Sequence, residues 1–288
     1  LADKNNVSKD NMLLGNGSDE VLDLIFRAFC EPNRDNIITL PPTYGMYGVL
    51  ANINAIENRE VFLNETFQPN VDAILNTMDV NTKIIFLCSP NNPTGNSFTD
   101  SSIIKILNQF NGLVVLDEAY IDFGGESAVA LVNEFDNLLV TQTLSKSRAL
   151  AGLRVGMAFG QRHLIDALER VKDSFNSYPL GRLAQAGAQA AMEDEGYFQS
   201  TCDMVIMQRN SLVAQLQRRG FEVLPSAANF VLAKHPSYAG AELCAGLRER
   251  AVLVRHFASP RIADFLRITV GTPDQHKALL SALDDLLA

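Results

Sequence analysis

The sequence contains no tryptophan and only four cysteines, at Cys30, Cys88, Cys202 and Cys244. These cysteines lie far apart, so neither a zinc-binding cluster nor a redox Cys-x-x-Cys pair is present. We therefore expect reduced thiols, a reducing compartment and no metal site. The longest apolar runs have only the length of strands, which argues against a membrane-spanning segment.

Basic residues are also scarce. The chain has 24 Lys and Arg against 33 Asp and Glu, a formal net charge of −9. Nucleic-acid binding needs a basic surface, so nucleic acid is not an expected partner, and an anionic membrane is poorly matched as well. Hydrophobic residues make up 47% of the 288 residues, which is ordinary globular composition. Together with the reduced thiols, this favours a globular protein in a reducing compartment such as the cytoplasm.

Short apolar runs alternate with helical patterns in the first two thirds of the chain. Runs such as 84–87 and 113–116 are apolar on both faces, which is typical of parallel strands covered by helices. Between them lie amphipathic stretches such as 21–29 and 100–110. The pattern predicts an α/β domain with a mostly parallel central sheet.

The pattern changes after about residue 175. A long helical region is predicted from about Leu183 to Arg219, with a break near Gly196. Strand-like runs follow, among them 252–254 and 265–270, together with further helices. We expect a smaller α+β domain here, and we place the division at residues 1–200 and 201–288.

Polar motifs follow three of the predicted buried strands. Lys146 comes after the strand that begins at Leu138, with hydroxyls at Thr143 and Ser145 and with Arg154 eight residues beyond it. A lysine at a strand end can form a Schiff base with a carbonyl cofactor, and two hydroxyls and an arginine can bind phosphate. A surface lysine in a polar turn is the alternative.

The other two strands end in acidic and amide groups. Asp117 closes one strand, and Asn92 lies in the Ser89–Gly95 turn after another. An aspartate there can hold a pyridine nitrogen protonated, and Asn92 can donate to a ring oxygen. A strand or helix cap and a bare turn are the simpler interpretations.

Two weaker motifs lie nearer the beginning of the chain. Gly15–Glu20 opens a predicted helix, whose first amides could bind phosphate, although in isolation an N-cap by Ser18 or Asp19 is favoured. In the Pro41–Tyr47 stretch, Tyr44 could stack on a planar ring or simply pack in the core.

Taken together and in their order along the chain, these five motifs resemble those of the fold-type I, class I/II aminotransferases that depend on pyridoxal phosphate. The chain is similar in particular to the histidinol-phosphate aminotransferases, over essentially its whole length. Four stretches carry this narrower resemblance: 15–20, 42–47, 172–179 and 267–272.

The resemblance implies catalytic roles for three residues. Lys146 would bind the cofactor covalently, Asp117 would pair with its pyridinium, and Tyr120, with Asn92, would hydrogen-bond its ring oxygen. Tyr44 would stack on the ring.

It also implies two sets of anion-binding residues. Arg267, and Arg255 beside it, would bind the acidic group of the substrate. The phosphate of the cofactor would be held by Ser18, Asp19, Thr143, Ser145 and Arg154.

The implied reaction is transamination between L-histidinol phosphate and 2-oxoglutarate, run in reverse in L-histidine biosynthesis. An aromatic amino-acid aminotransferase or a phosphothreonine decarboxylase on the same scaffold is an alternative. A non-catalytic cofactor-binding domain, as in some transcription regulators, is another, but it would need a basic DNA-binding segment.

The family also has an N-terminal arm with a Tyr-Pro motif that reaches the cofactor phosphate of the neighbouring subunit. No such motif precedes Gly15, and we therefore expect an N-terminally truncated chain. The family further implies a homodimer for the full-length protein.

Overall fold

The computed structural model describes residues 2–288, and its largest element is a seven-stranded sheet. The strands are β1 Met12–Gly15, β2 Asn36–Thr39, β3 Glu57–Glu60, β4 Thr82–Cys88, β5 Leu113–Asp117, β6 Leu138–Thr143 and β7 Gly156–Gly160. Their spatial order is β1-β7-β6-β5-β4-β2-β3. The pairs from β3 to β6 are parallel, and β7 runs antiparallel to both of its neighbours. The sheet is therefore mostly parallel, as the sequence predicts.

Helices cover both faces of this sheet. The helices of the chain are α1 Ala2–Asn5, α2 Ser18–Phe29, α3 Met46–Ile53, α4 Val71–Thr77, α5 Asp100–Gln109, α6 Arg162–Phe175, α7 Arg182–Glu193, α8 Glu195–Gln217, α9 Gly240–Glu249 and α10 Pro273–Leu287. Short 3₁₀ turns occur at Lys9–Asn11, Ile121–Phe123, Ala128–Asn133 and Ala151–Leu153.

The central strand β4 shows why two helical layers are needed. Ile84 and Phe86 point to a core shared with α2, α3 and α6, whereas Ile85 and Leu87 point to a core shared with α4 and α5. Alternate side chains of a strand face opposite sides, so a strand that is apolar throughout needs cover on both.

A second sheet forms near the end of the chain. Its strands are β8 Glu222–Val223, β9 Phe230–Lys234, β10 Arg255–His256 and β11 Phe265–Thr269, in the order β10-β11-β9-β8. All of its pairs are antiparallel. It packs against the end of α8 and against α9 and α10 around a separate apolar cluster. This is the expected α+β unit; the division at residues 200 and 201 falls within α8 and stays a prediction.

One sequence-based boundary is confirmed and another is wrong. The long helical region breaks at Asp194, close to the expected Gly196, because the Asp194 side chain accepts a hydrogen bond from the Tyr197 amide and so caps α8. The strand expected at 252–254 lies instead at Arg255–His256, where pairing with β11 begins, and Leu253 is exposed.

A buried arginine joins the two sheets. Arg209 of α8 donates from Nη1 to the carbonyl oxygens of Phe123 and Ala228, both at 2.8 Å. Phe123 belongs to the loop after β5, and Ala228 precedes β9. The guanidinium therefore links the loop beside the large sheet to the beginning of the small one.

Among the described residues, no helix combines the length and the apolar character needed to cross a membrane.

Candidate active site

The polar motifs meet at one edge of the large sheet. Cys88 and Asp117 are directly paired at the ends of the parallel strands β4 and β5, so the turns that follow these strands leave the sheet side by side. Antiparallel β7 begins at the same edge, where Gly156 pairs with Gly15 of β1 and with Thr143 of β6. The topology thus brings together all five motifs, at the position where α/β sheets bind ligands.

Two glycines allow close packing at the start of α2. Gly17 has φ +88°, and a Cβ built on it would lie 2.5 Å from Arg154 Nη2. A Cβ on Gly156 would lie 2.3 Å from the backbone of Gly17 and Ser18. Gly17 is the N-cap of α2, contrary to the N-cap by Ser18 or Asp19 that the sequence favours in isolation. The first amides of this 12-residue helix therefore have no side-chain cap, which suits an anion.

Hydroxyls and an arginine surround this helix end. The Thr143 hydroxyl donates to Ser145 Oγ at 2.9 Å. Arg154 has a left-handed backbone with φ 53°, and its Nη2 lies 3.4 Å from Asp19 Oδ2. The hydroxyl of Tyr44 donates to Asp19 Oδ1 at 3.0 Å. Asp19 thus orients both the arginine and the aromatic ring.

Asp117 is buried, and both of its oxygens accept hydrogen bonds. The Tyr47 hydroxyl donates to Oδ2 at 2.7 Å, and the Ala119 amide donates to Oδ1 at 3.2 Å. Burial raises the pKa of Asp117, and these donors oppose that rise. A positively charged partner would complete the stabilisation of the carboxylate.

Lys146 lies in the turn after β6, exposed at the sheet edge. Its Nζ is 5.5 Å from the centre of the Tyr120 ring. Tyr120 itself is buried, and its ring packs edge-on against Phe230 of β9 at 5.1 Å. Burial raises the pKa of Tyr120 to about 12, so its hydroxyl stays protonated near neutral pH and can donate a hydrogen bond.

Two arginines from the small sheet face the same edge. Arg267 and Arg255 are directly paired across β11 and β10, and both line a cleft of about 770 Å³. Arg267 Nη1 donates to Asn92 Oδ1 at 2.7 Å. Its buried Nε has no hydrogen-bond partner among the described residues. Burial lowers the pKa of Arg267, and the nearby positive charge of Arg255 lowers it further.

The cleft includes some of the expected site residues and leaves out others. Tyr44, Asn92, Arg255 and Arg267 line it, together with Tyr47. The remaining expected residues lie beside it at the sheet edge: Ser18, Asp19, Asp117, Tyr120, Thr143, Ser145, Lys146 and Arg154. Tyr44 and Tyr47 connect the two groups through their hydrogen bonds to Asp19 and Asp117.

The sequence motifs contain two further residues to which sequence reasoning gave no role. Tyr47 contacts Asp117 across 70 residues of chain, a separation that leaves no local signal. Glu118 is also buried, and it accepts hydrogen bonds from Ser127 Oγ, the Ala128 amide and Gln142 Nε2. It thereby ties the end of β5 to β6.

Comparison with known proteins agrees with this geometry. The sequence model of the family "Aminotransferase class I and II" matches residues 2–283. The chain is 53% identical to histidinol-phosphate aminotransferase 2 of Rhizobium meliloti (strain 1021), over 100% of this chain and 81% of that protein. It is 51% identical to the histidinol-phosphate aminotransferase of Pseudomonas putida (strain F1), over 98% and 80%.

The fold comparison agrees as well. The crystal structure of histidinol-phosphate aminotransferase from Sinorhizobium meliloti in complex with pyridoxal-5'-phosphate superposes with a TM-score of 0.89 at 20% identity, over 99% of this chain and 79% of that one. The resemblance in the sequence motifs and the predicted fold class are confirmed. The chain belongs to the class I and II aminotransferase family.

Proposed function

We propose that this chain is a pyridoxal-phosphate-dependent aminotransferase that interconverts L-histidinol phosphate and 2-oxoglutarate with imidazole-acetol phosphate and L-glutamate. The choice of substrate rests on one observation. About half of all residues, over nearly the whole chain, are identical to those of relatives named histidinol-phosphate aminotransferase. The aromatic aminotransferase and the phosphothreonine decarboxylase have no comparable support.

The residues at the sheet edge fit pyridoxal phosphate. The uncapped amides of α2 and the guanidinium of Arg154, which packs directly against Gly17, suit a phosphate. Asp117 suits a pyridinium, because a buried carboxylate needs a cationic partner. When bound, this cofactor supplies a carbonyl carbon that accepts the amino group and a ring that withdraws electrons from the substrate's α-carbon.

The proposed roles of the chain's own residues are those that the family resemblance implies. Lys146 attaches the cofactor through Nζ and, when its amine is free, takes the proton from the α-carbon of the substrate. Tyr120 and Asn92 donate to the ring oxygen, and Tyr44 stacks on the ring. The phosphate is bound by the amides of Ser18 and Asp19, by the hydroxyls of Thr143 and Ser145 and by Arg154.

Arg267 binds the acidic group of either substrate. Its Nη1 already contacts Asn92, and its buried Nε has no hydrogen-bond partner among the described residues, so the guanidinium keeps a donor that is not satisfied by the protein. Arg255, exposed beside it, adds a second positive charge suited to a phosphate. These cations make the cleft attractive to anions although the whole chain carries −9.

The loaded protein can be tested one substrate at a time. L-histidinol phosphate, L-glutamate and aromatic amino acids are added separately in the absence of a second substrate, and loss of the visible absorption band is followed. We expect rapid loss with histidinol phosphate and glutamate. Preference for an aromatic amino acid over histidinol phosphate would contradict the proposal.

Lys146→Ala tests the attachment site. This variant should lose the visible band of the lysine-bound cofactor and all turnover while it remains folded, because no other lysine stands at a strand end within the set of motifs. Lys105→Ala on α5, which removes an exposed lysine paired with Asp72, serves as the matched control and should behave as the wild type. A normal band in Lys146→Ala would refute the assignment.

We also propose a homodimer. Phe175, Tyr178 and Leu183 are 60%, 92% and 85% exposed, which is unusual for large apolar side chains so close in the chain. Analytical ultracentrifugation of the wild type and of Leu183→Asp tests this, with a shift of the variant toward monomer expected. The cytoplasmic location stays a prediction.

A further inference from the structure

The side chain of Tyr47 is completely buried and held in one orientation. It lies in the first turn of α3, and its ring stacks on Phe86 with centres 4.8 Å apart and planes inclined by 15°. Phe86 stacks in turn on Phe26 of α2 at 5.2 Å. A ring packed in such a column cannot turn away, so the position of the Tyr47 hydroxyl is fixed by the core.

That hydroxyl meets the carboxylate expected to pair with the cofactor. The 2.7 Å hydrogen bond joins it to Asp117 Oδ2, and both side chains are buried. Burial and the nearby Asp117 charge raise the pKa of Tyr47 well above its usual value, so the phenol stays protonated and donates. The same ring meets Tyr44 edge-on at 5.6 Å. Tyr47 therefore contacts both the ring-stacking residue and the acidic residue.

We propose that Tyr47 is a positioning residue that keeps Asp117 ionised and correctly oriented, and thereby keeps the proton on the cofactor's pyridine nitrogen. A carboxylate that accepts an O–H hydrogen bond is less basic, and so competes less for the pyridinium proton. Without the hydroxyl, the proton moves toward Asp117 and the ring withdraws electrons less strongly. This inference rests on the proposed binding of pyridoxal phosphate.

The test uses pyridoxal phosphate labelled with ¹⁵N at the pyridine nitrogen, bound to the wild type and to Tyr47→Phe. We expect the ¹⁵N chemical shift of the variant to move toward that of a neutral pyridine. We also expect kcat to fall about tenfold, the value of roughly one hydrogen bond to a charged group, with KM for glutamate little changed. A purely structural role would leave the ¹⁵N shift where it is.

Tyr238→Phe is the matched control, because it too removes one tyrosine hydroxyl. That hydroxyl donates to the Leu287 carbonyl oxygen at 3.1 Å, within the unit formed by the small sheet and its helices. It should leave the ¹⁵N shift and kcat as in the wild type. An unchanged ¹⁵N shift in Tyr47→Phe would overturn the proposal.

If Tyr47→Phe does not fold, 3-fluorotyrosine at position 47 provides the test. It keeps the shape of the ring and strengthens the donor, so the ¹⁵N shift should move in the opposite direction, toward pyridinium, and no movement would overturn the proposal. The measurement needs only bound cofactor, whichever substrate is used. Failure of the wild type to bind pyridoxal phosphate would instead contradict the proposed function.

Discussion

In the proposed reaction, Asp117 matters most, because it is a buried carboxylate at the sheet edge that could pair with a pyridinium. Asp117→Asn should still bind pyridoxal phosphate but slow proton transfer at the α-carbon by several orders of magnitude, since an amide cannot hold the ring nitrogen protonated. Single-turnover rates with glutamate measure this step directly. A rate near that of the wild type would show that Asp117 does not have this role.

The two arginines of the cleft differ in burial, and their variants should differ accordingly. Arg267→Ala should weaken the binding of both glutamate and histidinol phosphate by about 2–4 kcal/mol, because a charged two-point contact in a partly dry site is lost. Dissociation constants for the two ligands provide the measurement.

Arg255→Ala should weaken histidinol phosphate more than glutamate. Arg255 is exposed, and it is the cross-strand neighbour of Arg267. It should therefore attract a doubly charged phosphate through its positive charge and not through a buried hydrogen bond. Equal losses for the two ligands would mean that Arg255 does not recognise the phosphate.

At the scale of elements, the start of β7 is pressed against the start of α2. Gly156→Ala would place a Cβ 2.3 Å from the backbone of Gly17 and Ser18, so one element must move. We expect a loss of about 1–3 kcal/mol in the free energy of unfolding and weaker pyridoxal phosphate binding. Urea denaturation and cofactor titration measure the two effects.

Gly160→Ala, at the other end of β7, is the matched control. Its Cβ would meet the flexible end of Leu139 at 3.3 Å, which can shift. Cofactor affinity should stay as in the wild type. If both variants weakened the cofactor equally, the contact between β7 and α2 would not be what shapes the phosphate site.

The elements themselves were predictable where a pattern repeats over several residues. Strands β4 and β5 are continuous apolar runs, and α5 has a clear helical face, so the α/β class followed from the sequence. The strand β1 was not predicted, because Met12–Gly15 is only four residues long and runs directly into the glycine motif. The error at 252–254 arose because its valines pack in the core without strand pairing.

The sequence predicted which motifs form the candidate site, but not the contacts that orient their side chains. Each motif adjoins a strand end, so Lys146, Asp117 and Asn92 could be identified from the sequence. The contacts that orient them join distant positions, as in Tyr47 with Asp117 and Asn92 with Arg267, and depend on strand order. Such contacts leave no periodic signal in one sequence.

At the scale of the whole molecule, Glu118 should make stability depend on pH. Burial raises its pKa to about 7 in the folded chain, against an ordinary value of 4.5. Between these values the folded state binds a proton that the unfolded state has lost, so stability falls as pH rises through this window. Between pH 4.5 and pH 8, Glu118 should lower the free energy of unfolding by an amount on the order of 2–3 kcal/mol, and Glu118→Gln should abolish this decrease.

Urea denaturation at several pH values provides the measurement, with exposed Glu126→Gln in the same loop as the control. Glu126→Gln should keep the wild-type slope. The same slope in Glu118→Gln as in the wild type would show that Glu118 is not protonated in the folded chain at acidic pH.

The connection made by Arg209 differs from the ion pairs described above, such as that of Arg154 with Asp19. Its partners are two peptide carbonyls, which neither titrate nor carry a counter-charge that dissolved ions can screen. A change of acidity will therefore act on Glu118, and a change of ionic strength on the pair of Arg154 and Asp19, while the connection between the two sheets holds. The charge state at the edge of the large sheet can therefore change with pH and salt without weakening the Arg209 hydrogen bonds that connect the two sheets.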